Sequence, residues 1–411
     1  MGRVSLDKEA EPSAPASNFV DIYMDTNDNR VKSKDYNGIV SQLGDYSSRV
    51  ANIIMNGGFI VQQRVAVAST AITGVSTTTR AGVVSDRWAV TTSVASNLNW
   101  QQVDTNGAEE TGLNSRFYGS IISATAGKKV MLSQFIINRE CAHLKGVKVR
   151  LTLKIKQKVG SAQTYRLGLI QLNSAGTIDV CPAFLSGAWS TTTGVDPAWN
   201  TNLAAITPQA TGARNGTITG NFLNITTSAS WQKCSMVFTL PTNFKNLIPV
   251  IFSDATGGTT DNISISEFGL YQGEEDVDWA EIPFALTLTK CQEFYVKTFP
   301  YTTVPAQNAG VTTGALVCIV GIAAAAALAD VFYWRFPQEM WKTPVTVTLY
   351  NPGVANAQAR RTTGAAAADQ TATATKDISA GSVSITATGD ASGVVGNQVI
   401  LHVSADAEIV N

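Results

Sequence analysis

Between Phe59 and about Tyr271 the chain repeats one local pattern: a short run of alternating or β-branched apolar residues, closed by Gly, Asn, Asp or Thr. "DRWAVTTSV", "RFYGSIISA", "KVMLSQFII", "KGVKVRLTLKIKQK", "YRLGLIQLN", "GNFLNITTS", "WQKCSMVFTLP", "LIPVIFSD" and "NISISEFGLYQG" are such runs. Side chains on a strand alternate between its two faces, and the turn residues supply the backbone conformations that end it. Parallel neighbours need long crossovers, usually helical. No helical pattern intervenes here, so the prediction is all-β, an antiparallel two-sheet sandwich over 59–272. The 33 glycines and a charged fraction of only 15% agree with a chain made of strands and turns.

The flanks read differently. Residues 1–17 ("MGRVSLDKEAEPSAPAS") lack the apolar segment of a secretory signal and are expected as a flexible arm. In 18–58, "FVDIYMD" and "RVKSKDYNGIVSQL" are joined by the turn signal "TNDN", and Val20, Ile22 and Met24 alternate along the first run. A short helix is predicted next, capped by Asp45 or Ser47, with Val50, Ile53 and Ile54 on one stripe and Asn56-Gly57-Gly58 ending it. A lone hairpin and a single-stripe helix of about ten residues are each marginal in water. Val20, Ile22, Met24, Val50, Ile53 and Ile54 are therefore expected to pack on copies of themselves or on an attachment surface.

Past the sandwich, acidic "GEEDVDWAEIP" (273–283) is expected as a linker, and 284–411 as a second, smaller β-sandwich domain. The apolar run in "ALVCIVGIAAAAALADVFYW" (315–334) stops at Asp330, short of the roughly 20 residues of a membrane helix. Its β-branched start and alternating end predict two strands joined by small residues, with no membrane insertion.

Charge and motif content narrow the chemistry. Thirty basic and 31 acidic residues balance, and "KVRLTLKIKQK" (148–158) alternates cations with apolar residues as a half-buried strand does, which argues against a nucleic-acid partner. The five cysteines (Cys141, Cys181, Cys234, Cys291, Cys318) are odd in number and sit in apolar runs, so buried thiols are expected. Only His143 and His402 are present, and there is no H-E-x-x-H, P-loop or G-x-S-x-G. Glycoside cleavage uses two carboxylates about 5 to 10 Å apart. The clustered acids here, Glu109-Glu110 and Glu274, Glu275, Asp276, Asp278 and Glu281, lie in turn or linker contexts. No catalytic residue, cofactor or metal is assigned; Asp254 and Asp261 around a Gly-rich turn leave a calcium ion conceivable, and turn chemistry explains them as well or better.

Several of these segments resemble known modules. "NGGFIVQQR" (56–64), "SDRWAV" (85–90), "LKGVKVRLTLKIK" (144–156), "WQKCSMVFTLP" (231–241) and "ISISEFGLYQGEE" (263–275) resemble the carbohydrate-binding jelly-roll modules of bacteriophage fibre proteins. "LTKCQEFYVKTFP" (288–300), "YWRFPQEMWKTPVTVTLYNP" (333–352) and "VSADAEI" (403–409) are similar to the β-domain that often follows them. "DIYMDTNDNRVKSKDYNGIVSQLG" resembles the short hairpin near the start of many phage head and tail fibres. The resemblance implies a homotrimer on a virion surface. It would be assembled in the bacterial cytoplasm, held to a portal, tail or capsid protein by residues 18–58, and turned toward host polysaccharide. A structural head fibre or decoration protein is the alternative, and a depolymerase a distant third. For sugar contact, flat aromatic rings stack on the apolar faces of pyranoses. The long polar loop "SGAWSTTTGVDPAWNTNLAA" (186–205) offers Trp189 and Trp199 for this, whereas Trp88, Trp100 and Trp231 are expected in the core.

Overall fold

The computed structural model describes residues 8–9, 20–25, 31–35, 40–42, 51–65, 70–72, 82–94, 98–105, 111–123, 127–258, 262–319, 329–343, 345–362, 368–370, 372–388 and 396–408. The chain divides into two compact units, Met1–Ala51 and Asn52–Asn411.

The first unit is a four-stranded sheet. Val20–Asp25 pairs antiparallel with Val31–Asp35, Val20 opposite Asp35, and Val31–Asp35 pairs in turn with Val40–Gln42. Lys8–Glu9, expected within the arm, adds a parallel strand with Lys8 opposite Met24. Successive side chains on a strand face opposite ways: Tyr23 is buried while Ile22 stays 52% exposed. The side chains of Val20 and Met24 lie outside the described residues, as does Val50.

The predicted helix does not form over 51–58, where the chain is irregular. Asn52 explains why. Its side-chain amide donates to Phe268 O (3.0 Å), and its Oδ1 accepts from Ile54 N and Leu270 N (both 3.0 Å). The segment is thus stitched to the end of strand Asn262–Gln272, a more favourable use of its amides than an isolated helical turn. Ile54 is buried in the sandwich core with Ile53 packed against it, so neither is available as a stripe for other copies. Gly57 runs so close to Phe268 that a Cβ would penetrate its carbonyl oxygen, and Asn56 and Phe59 take positive φ (52° and 56°) to turn the chain inward.

The sandwich itself consists of two antiparallel sheets, as the residue pattern predicts. One runs Thr217–Thr219, Phe222–Thr226, Thr164–Leu172, Asn246–Ser253, Val130–Gln134, Trp88–Thr92, Gly82–Ser85, with Leu203–Ala205 also on Thr164–Leu172. The other runs Gln232–Thr239, Lys148–Val159, Asn262–Gln272, Phe117–Ser123, Leu98–Asp104, Thr70–Ile72. Leu151, Leu153, Ile155, Ile263 and Ile265 from the six-stranded sheet meet Leu132, Leu167, Leu169 and Ile251 from the other. Trp88 and Trp100 are core residues, as expected. Each ring lies within 5.4 Å of Phe59, and the indole N–H groups donate to Asn56 O and Gln62 Oε1 (3.0 Å each), so burial leaves neither unsatisfied.

Residues 273–283, expected as a linker, lie along the sandwich. Lys148 bonds Glu274 (2.5 Å), Arg150 donates to Glu274 O (2.7 Å), and Lys233 reaches Asp276 (2.9 Å) and Asp278 (3.0 Å). The clustered acids therefore hold this segment in place. Next comes Phe284–Gln292, an α-helix inside the region expected to be β. Its Leu-Thr alternation reads as a strand; in the helix Thr289 donates its hydroxyl to Ala285 O (2.8 Å), one turn back.

The remaining strands form a six-stranded sheet centred on Gln398–Asp406 and a three-stranded sheet, Ala329–Arg335, Ser382–Thr388, Ala372–Ile378, with a core of their own that includes Phe332, Ile385, Val399 and Val403. Leu316–Ile319 and Ala329–Arg335 are the two strands predicted for the apolar run, and no helix among the described residues is long and apolar enough to cross a membrane. Buried ion pairs join this module to the sandwich. Arg87 pairs with Glu408 and stacks on Phe294 (3.4 Å), while Arg64 pairs with Asp406 (3.0 Å) and lies over Tyr295 (3.9 Å). None of the five cysteines is in a disulfide; four are buried and Cys318 is half-buried.

Candidate functional site

The two outer faces of the sandwich have opposite characters. Strands Thr164–Leu172 and Asn246–Ser253 are apolar on both sides, and the outward side carries Ile170, Ile248, Val250 and Phe252. The segment 173–202 folds back over it as a third layer. Lys129 holds this layer by donating to Thr192 O (2.6 Å) and Val195 O (3.3 Å), and Arg166 holds it by pairing with Asp196 and Asp254. Asp254 also accepts from Gly194 N (3.1 Å), so its carboxylate is part of this clamp.

This layer accounts for the two loop tryptophans. Trp189 is 2% exposed and sits edge-on to Phe252 (5.7 Å). Trp199 is half-buried among Phe184 (5.8 Å), Phe252 (6.3 Å) and Phe222 (6.4 Å). Trp189 therefore has no face to offer a sugar, a correction to the sequence expectation: the loop is a cover over apolar strands, and the rings are its anchors. Trp199 packs against the same core.

The outward face of the six-stranded sheet is polar. Because Leu151, Leu153 and Ile155 point inward, Lys154, Lys156 and Lys158 share the opposite face. Register places Ser264 opposite Lys156, Ser266 opposite Lys154, and Ser120 opposite Ser264. Tyr118, from strand Phe117–Ser123, and Trp231, just before strand Gln232–Thr239, lean together over this row with ring centroids 5.4 Å apart at 74°. Lys156 Nζ lies 5.0 Å from the Trp231 ring and 5.6 Å from the Tyr118 ring, and Lys158 donates to Tyr118 Oη (3.4 Å). Trp231 is thus half-buried on an outer face and not in the core, a second correction.

Glu267 closes one side of this face. It sits at a bulge with φ of 51°, pairs with Lys154 (3.0 Å), and accepts from the amides of Asn114 and Ser115. The chain at 111–116 is thereby drawn against the sheet, with Gly112 beside Trp231. Two buried polar atoms here, Trp231 Nε1 and Ser264 Oγ, have no hydrogen-bond partner among the described residues. The Lys156 ammonium has its pKa lowered, first by burial and then by the Lys158 charge. Rings, paired cations and unsatisfied polar atoms on one face suit a ligand with alternating apolar and hydroxyl or carboxylate surface.

Neither histidine joins the site. His143 is exposed, and His402 is buried, stacked on Phe299 (3.8 Å) and bonded to Thr298 Oγ1 (2.9 Å) and Val311 O (3.1 Å). Glu109, Glu110 and Asp261 lie outside the described residues. The sequence signal for this site was the spacing of three lysines by two along one strand, which puts three charges on a single face.

No family model matches the chain. No curated protein matches it either. Among solved structures, the chain is similar to the carbohydrate-binding and GH10 modules of a Clostridium thermocellum endo-1,4-beta-D-xylanase complexed with xylohexaose. There the identity is 12% and the TM-score 0.27, over 50% of this chain and 28% of that one. It is similar to TmCBM61 in complex with beta-1,4-galactotriose at 10% identity and TM-score 0.29, over 54% of this chain and 99% of that one. It is also similar to the enzymatically active domain of tailspike protein 4 of bacteriophage CBA120, at 13% identity and TM-score 0.28, over 49% of this chain and 22% of that one. The chain thus spans well under two thirds of the xylanase and tailspike chains.

Proposed function

We propose that the protein is a non-enzymatic surface fibre of a bacteriophage particle that adsorbs to host glycans through the outward face of its six-stranded sheet. The observation that carries the glycan reading is the Tyr118–Trp231 pair with Lys156 Nζ within 5.6 Å of both rings. The Trp231 ring supplies a stacking surface for a pyranose, and Lys156 and Lys158 donate to hydroxyl or carboxylate oxygens. Single contacts of this kind are weak, and three copies on one particle raise the effective affinity by avidity. The Met1–Ala51 unit, with Ile22 half-exposed on its sheet, is the attachment end of a homotrimer in this reading.

A glycan array probed with the purified protein and with Trp231→Ala tests the site. Binding by the parent chain that is lost in the variant, with an unchanged circular dichroism spectrum, supports it; equal binding by both refutes it. Deletion of residues 1–44 should abolish incorporation into particles, and incorporation of the deleted chain would refute the attachment role. The burial of Trp189 and the packing of half-buried Trp199 against the same core favour one second reading, a capsid decoration protein without a receptor. A blank array together with intact particle incorporation would select it.

A further inference from the structure

The three-stranded sheet of the C-terminal module has an outward face that packs on nothing described. Phe332 and Phe336 turn inward with Val383, Ile385 and Ala387, which leaves Val331, Tyr333 and Arg335 pointing out from the first strand. Register sets Tyr333 opposite Ser384, Val331 opposite Thr386 and Arg335 opposite Ser382. On the third strand Lys376 stands opposite Ser384 and Ala374 opposite Thr386. Tyr333 is 65% exposed, more than any other large apolar side chain among the described residues, and Val331 beside it is 56% exposed. Neither Arg335 nor Lys376 makes an ion pair with a described residue; the acid nearest in sequence, Asp377, is exposed in the bulge of the third strand with φ of 42°.

We infer that this face is a second glycan platform, selective for carboxylate-bearing polysaccharide. A flat exposed ring stacks on the apolar face of a sugar. The Ser382, Ser384 and Thr386 hydroxyls form a row beside it that can donate to or accept from sugar hydroxyls. Residues two apart on a strand are about 7 Å apart, and next-but-one strands about 10 Å, so Arg335 flanks Tyr333 along the strand and Lys376 flanks it across the sheet, both within the span of a few sugar residues. Two cations and an exposed aromatic ring are complementary to an anionic chain with apolar faces, whereas a second protein copy meeting this face would have to leave both cations unpaired or supply acids for them. The inference shares the glycan ligand class with the function proposed above but uses different residues on a different sheet.

Affinity electrophoresis of the full chain through gels containing polygalacturonate, neutral hydroxyethylcellulose or polyglutamate tests it. The expected result is retardation by polygalacturonate that weakens about tenfold in Tyr333→Ala, the loss of one aromatic contact. It should weaken about threefold in Arg335→Gln and in Lys376→Gln, and the Tyr333→Ala loss should be of the same size in a Trp231→Ala background. Absence of retardation in the parent chain, equal retardation of Tyr333→Ala, or equal retardation by polyglutamate would each overturn it. So would a fall in oligomeric state of Tyr333→Ala by sedimentation, which would make this face an interface between copies. Loss of array binding in Trp231→Ala with a silent Tyr333→Ala defeats this platform alone; the reverse pattern defeats only the sandwich site.

Discussion

Asp86 is a carboxylate placed where charge is costly, and its removal should stabilise the protein at neutral pH. It is fully buried beside Gln63, whose backbone N–H donates to Oδ2 (2.7 Å) and whose side-chain amide donates to Oδ1 (3.0 Å). Burial is the largest influence and raises its pKa from 3.8 to about 6, against the lowering effects of Arg64 and the Gln63 bonds, with Glu408 adding to the rise. A folded pKa above the unfolded one means that the native state holds the proton more tightly. The contribution is therefore fully favourable below the unfolded value of about 3.8 and is lost as pH climbs through about 6. At about 1.4 kcal/mol per unit, the loss across this window is about 3 kcal/mol. Asp86→Asn removes the titration and keeps an amide oxygen for the Gln63 backbone N–H. Urea unfolding of both proteins at half-unit steps from pH 4 to pH 7.5 measures the effect. The stability of Asp86→Asn minus that of the parent should rise by about 2.4 kcal/mol between the ends of this range, because at pH 4 part of the loss has already occurred. A difference that is flat with pH, or that falls as pH rises, would refute the assignment of a desolvated carboxylate.

Other perturbations separate packing from binding. Gly57→Ala, which forces a Cβ into the Phe268 carbonyl oxygen, should cost about 3 kcal/mol or more in urea unfolding, whereas Gly187→Ala, where a Cβ meets nothing within 4 Å, should stay within about 0.5 kcal/mol. Trp189→Ala should cost about 3 to 5 kcal/mol by emptying a site against Phe252, with glycan-array binding retained at a temperature where the variant is folded. Glu408→Gln leaves Arg87 buried without its carboxylate and should destabilise by about 3 to 5 kcal/mol, seen as a lower melting temperature.

The inward faces of both sandwich sheets were legible because alternation by two is a direct consequence of a strand with one buried side. The outward faces were harder to read, since a sheet face can be solvated, covered or functional and composition separates these poorly. For the eight-stranded sheet the signal was present in "YRLGLIQLN" and "LIPVIFSD", which are apolar at odd and even positions alike. A strand apolar on both sides must be covered on both sides, and 173–202 is the nearest chain long enough to serve, which turns Trp189 from a ligand candidate into an anchor. The six-stranded sheet argues the converse. "KVRLTLKIKQK" keeps one face cationic, so that face was free to carry a site, and the aromatic ring to expect there is one on a neighbouring strand level with Lys156. Gln232 is opposite Ile155, so the residue level with Lys156 is Trp231. The helix misread over 51–58 has a cause that apolar periodicity does not report: the side-chain hydrogen bonds of Asn52 decide the backbone there.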